Sequence, residues 1–181
     1  AIEHQPVAQW AEKAIAETDT ERSLAALLAL ARQQPRAKAL RNDVHDPVMP
    51  DYKMPVDLSD VDAELKGKFL AALDRLDWKH LNDEQRMDYL RVYTVALARM
   101  GPPDEAGRQP LIAKFDGVFP TREHRLDAEL SRLLVWLQSP TAASKIIELL
   151  AAAPSQEEQI DYAMPLRFLH AGWTDPLFEQ Y

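Results

Sequence analysis

The sequence predicts an all-α protein built as a right-handed α-solenoid, an α-α superhelix of stacked αα-hairpins. Three observations predict it. Apolar residues recur at three- and four-residue spacing along most of the chain, the period of a helix with one buried face, and no stretch alternates at period two for long enough to be a strand. Cap residues and Pro or Gly breakers stand between these stretches. The chain also repeats itself. DEQRMDYL begins at Asp83 and EEQIDYAM at Glu157, with one register slip, so Met87-Asp88-Tyr89 falls on Ile160-Asp161-Tyr162 seventy-three residues later. That interval holds about two helix pairs of ~35 to 40 residues, the period of helical solenoids, whose units bury their apolar faces only by stacking.

The first helix is read in PVAQWAEKAIAE, with Pro6 at its first position and Val7, Trp10, Ala11, Ala14 and Ile15 as its stripe. Asp19 or Thr20 caps the next, where Leu24, Leu27, Leu28 and Ala31 share a face; the two form an αα-hairpin. From 35 to 56 the pattern breaks into a proline-rich connection with Pro35, Pro47, Pro50 and Pro55. Ser59, with Asp62 three positions on, is expected to cap a helix carrying Val61, Leu65, Phe69, Leu73 and Leu76. Asn82, paired with Gln85, caps a fourth helix in which Met87, Leu90, Tyr93, Leu97 and Met100 face inward, and Gly101-Pro102-Pro103 stops it.

DEAGRQPLIAKFDGVF, interrupted by Gly107 and Pro110, reads as poorer helix. From Glu123, Leu126, Leu130, Leu133, Leu134 and Leu137 keep one face over four turns. Ser139-Pro140 break the helix and Thr141 caps the next, with Ala143, Ile146, Ile147 and Leu150 as its stripe. Ser155 caps the second octet with Glu158 three residues on, and Thr174 and Pro176 open a last helix. Pro165, about ten residues into its helix, would remove one backbone bond and bend the rod, as in repeats of the HEAT and armadillo type. On this reading Met87 and Ile160 are equivalent core positions, while Tyr89 and Tyr162, about 200° further round, are more exposed.

Composition narrows the function. With 181 residues, 46% hydrophobic and 28% charged, the chain fits one globular helical-repeat domain, residues 1–181. Beginning at Ala1 and stopping at Tyr181 early in a new helix, it reads as a piece excised from a longer protein. A net charge of −8 argues against nucleic acid as a partner, since phosphate binding rests on clustered Lys and Arg. No apolar run has the length of a membrane span, so membrane insertion is not expected. Cysteine is absent, which removes disulfides, thiolate nucleophiles and covalent haem attachment through CxxCH.

Candidate chemistry is sparse. Glu123-His124 with Asp127 at i+3 has a spacing that could share a metal, but such sites need a second copy and further acids, so a salt-bridge or cap role at the helix start is expected. His45, His80 and His170 share no spacing and read as a loop residue, a link residue and a partly buried helix residue. No GxSxG, GxGxxG or P-loop is present. Asp83-Glu84 and Glu157-Glu158 complement helix macrodipoles. Trp78 and Trp173 follow helix ends and are expected to pack rather than to stack a ligand. Arg86, Arg91, Arg99, Arg122, Arg125, Arg132 and Arg167 read as a solvated surface set suited to carboxylate partners.

Three stretches carry a family resemblance: LDRLDWKHLNDEQRMDYLRVYTVALARMGPP, LDAELSRLLVWLQSPTAASKIIELL and SQEEQIDYAMPLRFLHAGWT. Residues 57 to 181 resemble the HEAT-like helical region of large bacterial proteins exported from the cytoplasm; residues 1 to 56 match less clearly. There the region lies between a sugar-dehydrogenase-like β-propeller and a c-type cytochrome domain. The resemblance implies an extracytoplasmic (periplasmic or secreted) spacer or docking scaffold within a redox protein, and it carries no catalytic residue onto this chain.

The function expected is therefore non-catalytic: a scaffold, spacer or protein-interaction domain whose partners are neighbouring domains or another protein, with no cofactor and no catalytic or metal residues of its own. Two alternatives stand beside it. One is a helical enzyme domain with a buried acid and His. The other is a carbohydrate-binding lid, for which an exposed Trp10, Trp78, Trp136 or Trp173 would be the discriminating observation.

Overall fold

The structure, a computed structural model, describes residues 5–35, 38–39, 56–57 and 59–181. These are all-α apart from one two-residue antiparallel ladder, β1 (Lys38–Ala39) against β2 (Val56–Asp57), with Lys38 opposite Asp57 and Ala39 opposite Val56. Two residues are too few to register as alternation in the sequence. The proline-rich connection otherwise lies outside the described residues. The chain divides into two compact units, Ala1–Pro102 and Pro103–Tyr181.

The first unit opens with a 3-10 turn, Val7–Gln9, in place of the expected helix start at Pro6, and then α1, Ala11–Ala16. Trp10 is buried at the junction with Ala11, Ala14 and Ile15. Asp19 caps α2, Thr20–Gln33, by accepting the Arg22 N–H at 3.0 Å, and Leu24, Leu27, Leu30 and Ala31 supply its buried face. The next cap differs from expectation. Asp62, not Ser59, is the N-cap of α3, Ala63–Asp74, its carboxylate accepting from Leu65 N–H at 3.0 Å; as the stronger acceptor one residue before the first turn, it sets the boundary.

Asn82 and Gln85 close the expected capping box on α4, Asp83–Met100, each side chain accepting the other's backbone N–H. α4 packs on α2, and the Tyr93 hydroxyl donates to Asp74 of α3 at 3.1 Å. Gly101 stops α4 at φ +75°, a region glycine reaches without strain. The Lys66 ammonium then donates to the carbonyls of Met100, Gly101 and Pro102 at 2.7 to 3.1 Å, which satisfies acceptors that the end of a helix leaves open.

The second unit contains α5 (Glu105–Asp116), α6 (His124–Trp136), α7 (Ala142–Ala152), α8 (Gln156–Leu166) and α9 (Asp175–Gln180). α5 is a full helix despite Pro110, because Asp104 caps it and Leu111, Ile112 and Phe115 bury one face. α6 and α7 hold the core, with Leu126, Leu130, Leu134 and Leu137 packed among Ala142, Ala143, Ile146 and Ile147. Ser155 caps α8 by accepting from Glu158 N–H.

Three expectations need correction here. Pro165 stands one residue from the end of α8, so it terminates the helix instead of bending it. Ile160 is 50% exposed while Tyr162 is buried, the reverse of the expected pair, and in the first unit Met87 is only half-buried while Tyr89 is fully buried. The octets do share a register, since the tyrosine seven residues after each cap is the buried position. The stripe that α8 buries is Tyr162, Pro165 and Leu166, which leaves Ile160 and Met164 on the opposite face.

Gly172, at φ +75°, presses its backbone onto Pro140: a Cβ there would stand 2.0 Å from the Pro140 carbonyl oxygen. Gly172→Ala is expected to cost about 2 kcal/mol, from the left-handed backbone and from the shift needed to clear a main-chain oxygen. Urea denaturation checks it, and a change under about 0.5 kcal/mol would refute the contact.

Candidate functional site

α6 and α8 run side by side in the same direction, as their contacts at each end require. At one end His124 Nε2 lies 3.3 Å from Asp161 Oδ2, and the His124 ring meets Tyr162 edge-on at 5.7 Å. At the other end the Gln138 side chain donates to the Phe168 carbonyl at 2.8 Å and accepts from His170 N–H at 2.8 Å. Between them Arg132 bridges Glu129 on its own helix and Asp161 on α8.

The Glu123-His124-Asp127 set is separated by this geometry. Glu123 is the N-cap of α6, accepting from Leu126 N–H at 2.7 Å. Asp127 turns back to the preceding loop, where it accepts from Thr121 N–H, the Thr121 hydroxyl and Arg122 N–H. His124 alone faces α8, close enough to Asp161 for an ion pair when protonated but off the alignment of a hydrogen bond. Among the described residues no group of three or more His, Asp or Glu is placed to hold a metal ion. Burial, together with the carboxylates of Asp127, Glu158, Asp161 and Glu123, pushes the Tyr162 phenol up to about 12, so it stays a neutral group.

Beyond Arg132 the two helices open into a groove of about 300 Å³ lined by Val135, Trp136, Met164, Pro165 and Phe168, with Arg132 as its polar residue. Trp136 is 46% exposed, Met164 53% and Phe168 65%, and Ile160 continues the same stripe of α8. Among the described residues every large exposed apolar side chain falls between Trp136 and Tyr181. A concavity of similar volume in the first unit, between α2 and α4, is lined by Leu24, Leu28, Glu21, Glu84 and Asp88. Glu21 and Glu84 occupy helix first turns, where the macrodipole accounts for them.

The other sequence candidates pack or point to solvent. The Trp10 indole is buried and donates to the Gln5 carbonyl at 3.3 Å. Trp78 is half-buried against the edge of Tyr89 and under the Arg86 guanidinium. Trp173 donates to the Leu169 carbonyl at 2.8 Å and lies 4.4 Å from the Phe178 ring. His80 stands exposed beside Asp77, and His170 is exposed outside any helix, not partly buried within one; His45 lies outside the described residues. Arg99 donates to the Gln34 carbonyl, Arg86 to the Trp78 carbonyl and Arg132 to Asp161, so three of the seven arginines tie elements together.

The groove was missed in the sequence because its apolar residues read as core stripes. The available signal was i, i+4, i+8 in the sequence: Ile160 and Met164 form a second apolar line on a helix already supplied with one, and Phe168 continues the spacing just past its end. No helix among the described residues is long and apolar enough to cross a membrane. Comparison with protein-family models, with curated proteins and with solved structures gives no match.

Proposed function

We propose that this chain is a non-catalytic, helical-repeat protein-interaction domain that docks a partner protein in the α6/α8 groove. The observation that carries the reading is the concentration of exposed apolar side chains there: Met164 of α8 and Phe168 just past its end, with Trp136 across from them on α6 and Ile160 one turn before Met164. Monomeric soluble proteins scatter such residues singly, and a contiguous patch rimmed by polar groups marks an interaction surface. The repeat reading rests on the octets, whose caps Asn82 and Ser155 and buried Tyr89 and Tyr162 occupy matching positions. The setting we infer from the resemblance of residues 57 to 181 is an exported bacterial redox protein, in which this domain spaces or docks its neighbours.

The exposed Trp136 ring favours one second reading, a carbohydrate-binding surface. Sugar recognition needs several convergent hydrogen-bonding groups around the stacking ring, and this groove offers Arg132 alone, itself engaged with two carboxylates. Selection of displayed random peptides on the immobilised protein separates the two readings. Helical peptides with apolar residues at i, i+3 or i+4 are expected, and Met164→Glu or Phe168→Glu, at unchanged circular dichroism, is expected to weaken them at least about tenfold. Peptides indifferent to both substitutions, or tryptophan fluorescence that responds to oligosaccharides and not to peptides and loses that response in Trp136→Phe, would overturn the docking reading.

A further inference from the structure

We infer that the occupant of the α6/α8 groove is a basic amphipathic helix, apolar on the face it buries and carrying Lys or Arg on its flanks. The inference rests on the docking reading above and names the partner's chemistry.

Shape sets the first requirement. Ile160 and Met164 stand one turn apart on α8, about 6 Å at 1.5 Å per residue, and Phe168 follows in the turn just past its end, across from Trp136 of α6. Such a floor between two parallel helices suits about two turns of a third helix with apolar anchors at i, i+3 or i+4. Met164 adds adaptability, since an unbranched thioether refits to different side chains. An extended strand has no edge to pair with here, because every wall of the groove comes from a helix or its last turn.

Charge sets the second requirement. Glu129 and Asp161 share the guanidinium of Arg132, and His124 Nε2 stands 3.3 Å from Asp161, so while that imidazole is neutral one negative charge is left uncompensated beside the groove. Glu157 stands exposed one turn before Asp161 on the same helix. The opposing charge at the far end is Arg167, which lies over the Phe168 ring at 5.9 Å and has no carboxylate partner among the described residues. Three carboxylates thus stand on the two helices beside the groove with two guanidiniums and the His124 imidazole. Over residues 103–181, twelve Asp and Glu stand against seven Lys and Arg, so the wider surface has the same sign. Complementary potentials steer association and reject partners of like charge. An acidic helix with the same apolar face would meet a surface whose net charge has its own sign.

The test uses the intact chain and two synthetic helical peptides of equal length and identical apolar stripe, one flanked by Lys and the other by Glu, titrated by the anisotropy of a fluorophore on the peptide. At low salt the Lys peptide is expected to bind at least about fivefold more tightly, and the advantage should shrink to under about twofold at 0.5 M NaCl, where the screening length is only a few ångströms. The double variant E129Q/E157K is expected to abolish or reverse the preference, and Met164→Glu to weaken both peptides alike. Equal binding at low salt, or a preference for the Glu peptide, would overturn the basic-helix assignment and leave the docking reading standing. A dimer in sedimentation equilibrium that Met164→Glu dissociates, and that excludes both peptides, would assign the groove to a second copy of this chain and overturn the inference in the same way. Failure of both peptides in a monomeric protein, with no binders from peptide selection, would overturn inference and docking reading together.

Discussion

Tyr89→Ala is expected to destabilise the protein by about 3 to 5 kcal/mol, the range for truncating a large aromatic side chain in a packed core. Tyr89 has no exposed surface, and its ring meets Trp78 edge-on at 6.2 Å and Tyr93 edge-on at 5.0 Å. Each such pair adds about 0.5 to 1.5 kcal/mol beyond burial, so the aromatic set puts the loss toward the upper end. Its hydroxyl donates to the Leu73 carbonyl at 3.4 Å and also hydrogen-bonds with the Tyr93 side chain, so Tyr89→Phe should cost about 1 to 2 kcal/mol. Ile160→Ala, at a half-exposed position, should stay within about 0.5 kcal/mol. Urea denaturation of the three variants decides the matter. A tolerated Tyr89→Ala beside a damaging Ile160→Ala would reverse the burial assigned to the two octets.

That contrast marks how far the sequence could be read. Helix existence and most caps were legible, because a cap is a local event: Asp19, Asn82 and Ser155 each satisfy an N–H three residues ahead, whatever the rest of the chain does. Facing was less legible. α4 buries Leu90, Tyr93, Leu97 and Met100 of the expected stripe and also Tyr89, Val92 and Ala96, because it packs on α2 and also bonds to α3, so a single expected stripe underestimated its buried arc. α8 errs in the other direction. It carries two apolar lines and buries one, and periodicity cannot say which of two lines a neighbour will cover.

The groove follows from that second failure. Sequence rules assign an apolar line to a core by default, and only the placement of α6 beside α8 shows that Tyr162, Pro165 and Leu166 satisfy the core while Ile160, Met164 and Phe168 are left over. The Glu123-His124-Asp127 spacing was legible as a cluster, and its division was not. Which carboxylate turns to the loop and which side chain turns to α8 depends on the path of residues 119–123, where no periodicity exists to read.

Asp127→Ala is expected to cost about 2 to 4 kcal/mol through that loop. Asp127 is 1% exposed, and its carboxylate accepts from Thr121 N–H at 2.6 Å, from the Thr121 hydroxyl at 2.8 Å and from Arg122 N–H at 3.0 Å. Charge-assisted bonds of this kind are worth about 1.5 to 3 kcal/mol each, but Thr121 and Arg122 lie near solvent, and water recovers part of the loss when the carboxylate is removed. The same bonds hold Arg122 at φ +72°, a conformation a side chain other than glycine's adopts only when its surroundings fix it. Asp127→Asn separates the two contributions. Its amide oxygen can still accept from Thr121, but its NH₂ then faces the Arg122 N–H, donor against donor, so the cost should fall between wild type and alanine at about 1 to 2 kcal/mol. Amide exchange should speed up at Arg122 in both variants and at Thr121 chiefly in the alanine variant. Equal losses in the two variants, or unchanged exchange at both amides, would show that Asp127 does not pin the loop, and the division of the His-acid cluster would lose its structural cause.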